Sequence, residues 1–244
     1  MTPQPEKPPL EVYLLGAVDF AEMQALQRRL VFEHGEREGA TLVLCEHPPT
    51  LSVGRSGSRA HIAPDDSELT GRGIRAHWVN RGGGCVLHVP GQLAGYLVAP
   101  IGGEASTAMG HVRRIQEMLL GVLAEFDLPG EVRHDPPGIY LGRARAATIG
   151  VAVSRGIAYH GFTLNVGPFL DLFDVLVEPG PDGSILRQTS MESRRQRPTP
   201  MSWVREAIVR RTELAFELDR HHVYTHHPRL KRKVLTHAYA PSPG

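Results

Sequence analysis

Three consecutive glycines put the tightest constraint on this chain. Gly82-Gly83-Gly84 follow Arg81 and lead into Cys85-Val86-Leu87-His88, after which Val89-Pro90-Gly91-Gln92 turns the backbone. Glycine is poor material for the interior of a helix or a strand. The run therefore serves either a bare hairpin or a loop whose backbone approaches a ligand closely, and the second use fits better beside a fixed charge with a planar fork of donors. His88 is then a polar tip in an otherwise apolar strand.

Composition narrows the class. At 244 residues the chain is long enough for a sizeable core, as one large domain or two small ones. Its 41% hydrophobic and 22% charged residues are ordinary for a globular protein. A net charge of +1 does not suit a general nucleic-acid binder. Two cysteines, Cys45 and Cys85, form no disulfide framework, which points to a reducing, cytoplasmic setting. No run approaches the length of a membrane-spanning helix, so no membrane partner is expected. Residues 1–9 read as a flexible leader, 10–219 as the folded domain and 220–244 as a basic, His-rich tail.

Along the chain, Leu10 to Leu15 reads as a strand. Asp19 caps a helix to about Glu38 with Phe20, Met23, Leu26 and Leu30 on one face. Thr41 to Cys45 is an apolar strand running into Glu46-His47-Pro48-Pro49, where Glu46 and His47 are a catalytic pair or, the favoured reading, a surface turn. Arg59 to Arg72 reads as a surface loop, and Ile74 to Asn80 and Gly95 to Ile101 as strands. Ser106 or Thr107 opens a second helix to about Phe126, with Val112, Ile115, Leu119, Val122, Leu123 and Phe126 inward. Two strands joined near Gly142 follow, then a strand over Ile157 to Val166. Phe169 to Val177 reads as a helical turn followed by strand, and Glu178 to Gly183 as a loop. Thr199-Pro200 starts a last helix to about Leu218, with Pro200 at its first position and Val204, Ile208, Leu214 and Leu218 inward. His221, His222, His226 and His227 lack a cysteine or carboxylate to complete a typical metal site, so no metal is expected. Interleaved strands and helices with hairpins predict an α+β fold: a mostly antiparallel or mixed sheet with packed helices.

The motif Arg81-Gly82-Gly83-x-x-x-x-His88-x-Pro90-Gly91-Gln92 resembles the signature of the octanoyltransferases of lipoate biosynthesis, the lipoyl(octanoyl) transferases. Its Gly82-Gly83-Gly84-x-Val86-x-His88 portion also resembles the lipoate-protein ligases. Both belong to the biotin/lipoate protein ligase superfamily. Glu46-His47-Pro48-Pro49-x-x-x-x-Gly54-Arg55, Pro137-Gly138-Ile139-Tyr140 after Asp135, Ala147-Thr148-Ile149-Gly150, His160-Gly161-Phe162-Thr163-Leu164-Asn165 and Thr189-Ser190-Met191 match further family motifs in order. The resemblance implies a catalytic domain of the superfamily's α+β type. It implies transfer of an octanoyl group from acyl carrier protein to a lysine of a lipoyl-domain protein, with no cofactor. Substrate contacts would then come from Arg81, Gly82, Gly83, Gly84, Cys85, Val86, Leu87 and His88, from Thr148, Ile149 and Gly150, and from Gly161, Phe162 and Thr163. Leu87, Ile149 and Phe162 would form the apolar wall. Arg145, His160 and Asn165 would support the site.

The chain departs from the family where the chemistry sits. The family's nucleophilic cysteine aligns with Pro179 and its activating lysine with Arg145. Proline offers no nucleophile, and arginine carries a fixed charge. Three readings follow. A relocated nucleophile would be Cys85, with Arg81, His88, Arg145 and His160 converging on its thiol; otherwise Cys85 is a small packing residue. A non-catalytic relative would bind an acyl or lipoyl carrier protein, or a medium-chain acid, without transfer. An enzyme of this fold could instead use another acyl donor or direct attack by the acceptor lysine. Arg55, Arg59, Arg143, Arg145 and Arg155 would suit acidic carrier domains in each case.

Overall fold

A computed structural model describes residues 7–35, 38–102, 107–134, 136–180, 183–219 and 221–230. The elements in order are β1 (Leu10–Ala17), α1 (Phe20–His34), β2 (Ala40–Glu46), β3 (Thr50–Val53), α2 (Asp66–Gly71), β4 (Arg75–Trp78), β5 (Cys85–His88), β6 (Gln92–Pro100), α3 (Ala108–Glu125), β7 (Glu131–His134), β8 (Pro137–Leu141), β9 (Ala144–Ser154), β10 (Ile157–Asn165), α4 (Met191–Arg195), α5 (Met201–Ala215) and β11 (His221–Tyr224). Short 3₁₀ turns occupy Arg59–His61 and Leu170–Val175.

Among the described residues, eight strands form one mixed sheet, ordered β11-β1-β2-β6-β10-β9-β8-β7. Three more of the described strands form a small sheet, β4-β3-β5. The large sheet is covered on both faces, and strand alternation shows why. In β2, Leu42 and Leu44 pack into the core under α3 and α5, while Val43 and Cys45 pack under α1. Such a strand is apolar throughout rather than alternating with polar residues, as expected for a sheet buried on both sides. Asp19 caps α1 by accepting from the Ala21 and Glu22 backbone N–H groups, and the Thr107 hydroxyl caps α3. The α+β architecture with a mixed sheet is the one the element order predicts. Among the described residues no helix is long and apolar enough to cross a membrane.

Several expectations are corrected. The 59–72 segment is not a plain loop: it holds the 3₁₀ turn and α2, whose cap is the Asp65 carboxylate. Helix α1 stops at His34, β7 and α4 were not foreseen, and no strand follows the turn at Leu170–Val175, only a bridge from Leu176 to Ile62. Pro200 is the cap of α5 rather than its first residue, and Leu214 is 70% exposed. The buried stripe of α5 runs through Val204, Ile208 and Thr212, and Leu214 falls on the opposite face. His221–Tyr224 is a strand rather than loose tail: it pairs in parallel with β1, and Tyr224 stacks on Tyr13 at 4.9 Å, while residues 222–224 stay exposed as expected. Ser106, Asp135 and residues 1–6, 181, 182, 220 and 231–244 lie outside the described residues.

One glycine of β6 sets up the site. Gly95 pairs with Phe162 of β10, and a Cβ on Gly95 would stand 2.2 Å from Phe162 Cζ. The missing side chain is what lets the aromatic ring lie across the strand. A Gly95→Ala change is expected to displace the ring and cost about 1–3 kcal/mol by overpacking, read as a lower urea midpoint at unchanged slope.

Candidate functional site

The site begins with Arg81. Its Nη1 donates to the Gly82 and Gly84 carbonyls at 3.0 and 3.1 Å, and its Nη2 donates to the Ser52 carbonyl and Ser52 Oγ at 3.0 and 2.8 Å. The guanidinium thus folds the glycine run into a loop and ties it to β3. The backbone completes the tie. Gly54, Arg55 and Ser56 N–H groups donate to the carbonyls of Gly84, Arg81 and Gly83, and Gly82 N–H donates to Val151 of β9. A Cβ on Gly54 would lie 2.4 Å from the Gly83 carbonyl oxygen, so close approach requires glycine there. Burial lowers the Arg81 pKa to about 10, opposed by Tyr96 and Cys85.

A narrow cleft of about 30 Å³ opens between this loop, β10 and α1. Phe20, Val86 and Phe162 supply its apolar surface; Ser52, His88, Tyr96 and His160 are among its polar groups. A wider groove, lined by residues including Arg59, Asp66 and Trp78, borders α2 and β4. The smaller cleft gathers buried polar side chains, Ser52, Arg81, His88 and His160, and is the better candidate.

Pleating decides which residues face the cleft. β3 and β5 pair with Ser52 opposite Val86, Leu51 opposite Leu87 and Val53 opposite Cys85. Ser52, Val86 and His88 turn into the cleft. Leu51, Val53, Cys85 and Leu87 turn the other way, into a cluster with Ile62, Leu69 and Phe173. The expected apolar wall is corrected accordingly: Leu87 faces that cluster, Ile149 lies in the main core, and Phe162 alone of the three lines the cleft. On β9, Thr148 and Gly150 face the cleft, as do Gly161 and Thr163 of β10.

The expected convergence of Arg81, His88, Arg145 and His160 on the Cys85 thiol is not the observed geometry. Cys85 Sγ points to the Ser58 carbonyl at 3.6 Å. Burial pushes its pKa up, and the Ser58 contact and the Arg81 and Arg145 charges do not reverse that. This environment favours the thiol over the thiolate a nucleophile needs.

His47 is no surface turn, and it makes no catalytic pair with Glu46. It is 1% exposed, with Nδ1 at 2.7 Å from the Val18 carbonyl and Nε2 at 2.7 Å from Tyr96 Oη. Glu46 instead accepts from the Gly91 N–H at 2.9 Å and meets Arg205. His160 has a left-handed backbone, φ 66°. Its N–H leaves the sheet ladder and donates to Gln27 Oε1 of α1 at 3.0 Å. Strained backbone of this kind gathers at functional sites, and here His160 is one of the residues lining the cleft. Asn165 supports from behind: it accepts from Gln92 and donates to the Thr189 carbonyl.

Residues 19–213 match the family described as the lipoyl protein ligase A/B catalytic domain. The chain belongs to that family. It is 37% identical over 185 residues to an octanoyltransferase of Acidobacterium capsulatum, covering 70% of this chain and 75% of the relative. It is 33% identical over 214 residues to an octanoyltransferase of Chloroflexus aggregans, covering 86% and 96%. Among solved structures, a lipoate-protein ligase A bound with ATP superposes with a TM-score of 0.72 at 17% identity, covering 90% of each chain. A bipartite lipoate protein ligase of Thermoplasma acidophilum gives 0.71 at 16%, covering 90% and 88%. These likenesses place the fold within the lipoyl protein ligase family.

On this family scaffold, Arg145 of β9 and Glu178 form a buried ion pair. Nη2 lies 2.8 Å from Oε2, with side chains 3% and 9% exposed. The Glu178 carboxylate presses against Gly84, where an added Cβ would lie 2.1 Å from Oε1. The segment 187–189 holds Arg145 from the other side: Arg145 N–H donates to the Arg187 carbonyl, and the Arg145 carbonyl accepts from Thr189 N–H. Pro179 sits next to this pair, bridged to Ile185.

Sequence reasoning missed Ser52, Tyr96, Phe20 and the partnership of Glu178. The Ser52 signal was present: Thr50-Leu51-Ser52-Val53 alternates polar and apolar, which turns the hydroxyls to one face. The ion pair had no local signal.

Two outcomes follow. Arg145→Ala or Glu178→Ala alone leaves a buried charge unpaired and should cost about 3–5 kcal/mol, whereas a double change to apolar residues of similar volume should recover most of it; urea unfolding measures both. Burial also lowers the pKa of His47 and His111 to about 4 and of His160 to about 3, and holds His88 well below its ordinary value. The unfolded chain binds these protons first, near pH 6.5. Their contribution is therefore complete above about pH 6.5. It is lost as the pH falls toward about 4, at roughly 1.4 kcal/mol per pH unit for each histidine. Unfolding free energies at pH 7.5, 6 and 5 should fall in that order.

Proposed function

We propose that the chain is an acyltransferase of octanoyltransferase type. It takes an octanoyl group from the thioester of acyl carrier protein and passes it to the ε-amine of a lysine on a lipoyl domain. The observation that carries this reading is the Arg81-built glycine loop closing a mixed polar and apolar cleft against β9 and β10. Relatives named octanoyltransferase, aligned over as much as 86% of this chain, support it. The positive charge of Arg55, Arg59, Arg143 and Arg155 suits acidic carrier and acceptor domains.

The usual cysteine and lysine are replaced by Pro179 and Arg145 in the alignment the motifs imply. The Arg145–Glu178 pair fills that corner with mutually compensating charge. This pair also favours a second reading, a non-catalytic protein that holds an acyl or lipoyl carrier domain. Cys85 is read here as a packing residue, consistent with its neighbours Leu51, Val53 and Leu87.

The test is the intact mass of an apo lipoyl domain after incubation with the chain and octanoyl-acyl carrier protein. One added octanoyl group on the lipoyl domain is the expected result. An unmodified lipoyl domain with acyl carrier protein retained on the chain would favour the binding protein. Neither modification nor retention would overturn both.

A further inference from the structure

The cleft contains a serine and a histidine in nucleophile–base geometry. Ser52 Oγ and His88 Nε2 are 2.9 Å apart, and both side chains line the cleft. We propose that Ser52 is the acyl-accepting nucleophile of the transfer reaction and His88 its general base. The proposal rests on the acyltransferase reading above.

Three observations carry it beyond a chance contact. First, Arg81 Nη2 donates into Ser52 Oγ at 2.8 Å. That uses an oxygen lone pair and sets a positive charge beside the alkoxide as it forms; of the two acceptors open to the hydroxyl hydrogen, His88 Nε2 at 2.9 Å is nearer than the Val86 carbonyl at 3.5 Å. Second, His88 is buried with Nδ1 unpartnered. Burial and the neighbouring His47, Arg81, His160 and His77 disfavour its charged form, and in the tautomer with its proton on Nδ1, Nε2 carries the lone pair a base needs. Third, the thiol, phenol and carboxylate nearest the cleft are committed elsewhere, and the Thr148 and Thr163 hydroxyls that also line it have, among the described residues, no histidine at a hydrogen-bond distance comparable to that of Ser52. Cys85 faces the opposite cluster, Tyr96 Oη is bound to His47, and the Glu178 carboxylate is paired with Arg145.

The chemistry balances. Ser52 Oγ attacks the thioester carbonyl carbon, and its proton passes to His88 Nε2. The C–O bond forms, the C–S bond breaks, and the carrier thiolate leaves with the proton from His88. The neutral amine of the acceptor lysine then attacks the Ser52 ester. The C–N bond forms, the C–O bond breaks, and His88 relays the amine proton back to Ser52 Oγ.

The experiment incubates the full chain with octanoyl-acyl carrier protein, quenches in acid and maps the octanoyl group by peptide mass. The lipoyl-domain product is followed in parallel. Expected are an octanoyl ester on the Ser52 peptide and loss of transfer in Ser52→Ala. His88→Ala should fall by about 10²–10⁴-fold. Ser52→Cys should regain transfer through a thioester at the same position, a rescue that a purely structural role for Ser52 would not give. Transfer by Ser52→Ala at the wild-type rate overturns the proposal, as does an adduct mapped to Cys85 or Glu178. Transfer with neither an adduct on wild type nor rescue by Ser52→Cys also overturns it, while leaving the acyltransferase reading intact. No transfer by the wild type overturns that reading and the proposal together.

Discussion

Everything about the site depends on the Arg81 guanidinium. Glycines alone specify no single conformation, because each keeps more backbone freedom than any other residue and loses it on ordering. Four hydrogen bonds from one side chain, two to carbonyls of its own loop and two to Ser52, offset that loss. A charged donor makes each of them stronger than a neutral one. The same group joins the small sheet to the large one, since the loop it shapes is also bonded to Val151 of β9. Arg81 therefore acts on any ligand through the loop and through Ser52, and its own fork is occupied by the protein.

Pleating is the second constraint. On a strand, a shift of one residue exchanges the two faces. In β5 this places Val86 and His88 at the cleft and Cys85 and Leu87 against Phe173 and Leu69. In β3 it places Ser52 opposite Val86 and beside His88. The most reactive residue type in the glycine motif is thereby removed from the site, and an inconspicuous serine outside the motif is brought in.

The Arg145–Glu178 pair illustrates the cost of polarity in a dry place. Either charge alone would be unfavourable in that corner, and together they are tolerable because the geometry is direct. The pair holds Glu178 against Gly84 at the rim of the loop. The two charges also act on Arg81, in opposite senses.

The sequence by itself determined the local and periodic features. The stripes of α1 and α3, the cap at Asp19, the start of α3 to within one residue, the strands around Gly142 and the glycine loop with Arg81 were all legible, because spacing and turn chemistry act over a few residues. So was the cleft's composition at Thr148, Gly150, Gly161, Phe162 and Thr163, through family motifs. Only the tertiary structure decided the rest. The parallel pairing of His221–Tyr224 with β1 joins segments from opposite ends of the chain. The meeting of Arg145 with Glu178, of His47 with Tyr96 and of Ser52 with His88 depends on strand register and loop path. Which face a side chain takes, and what it meets there, is set by long-range pairing; no local propensity carries that information.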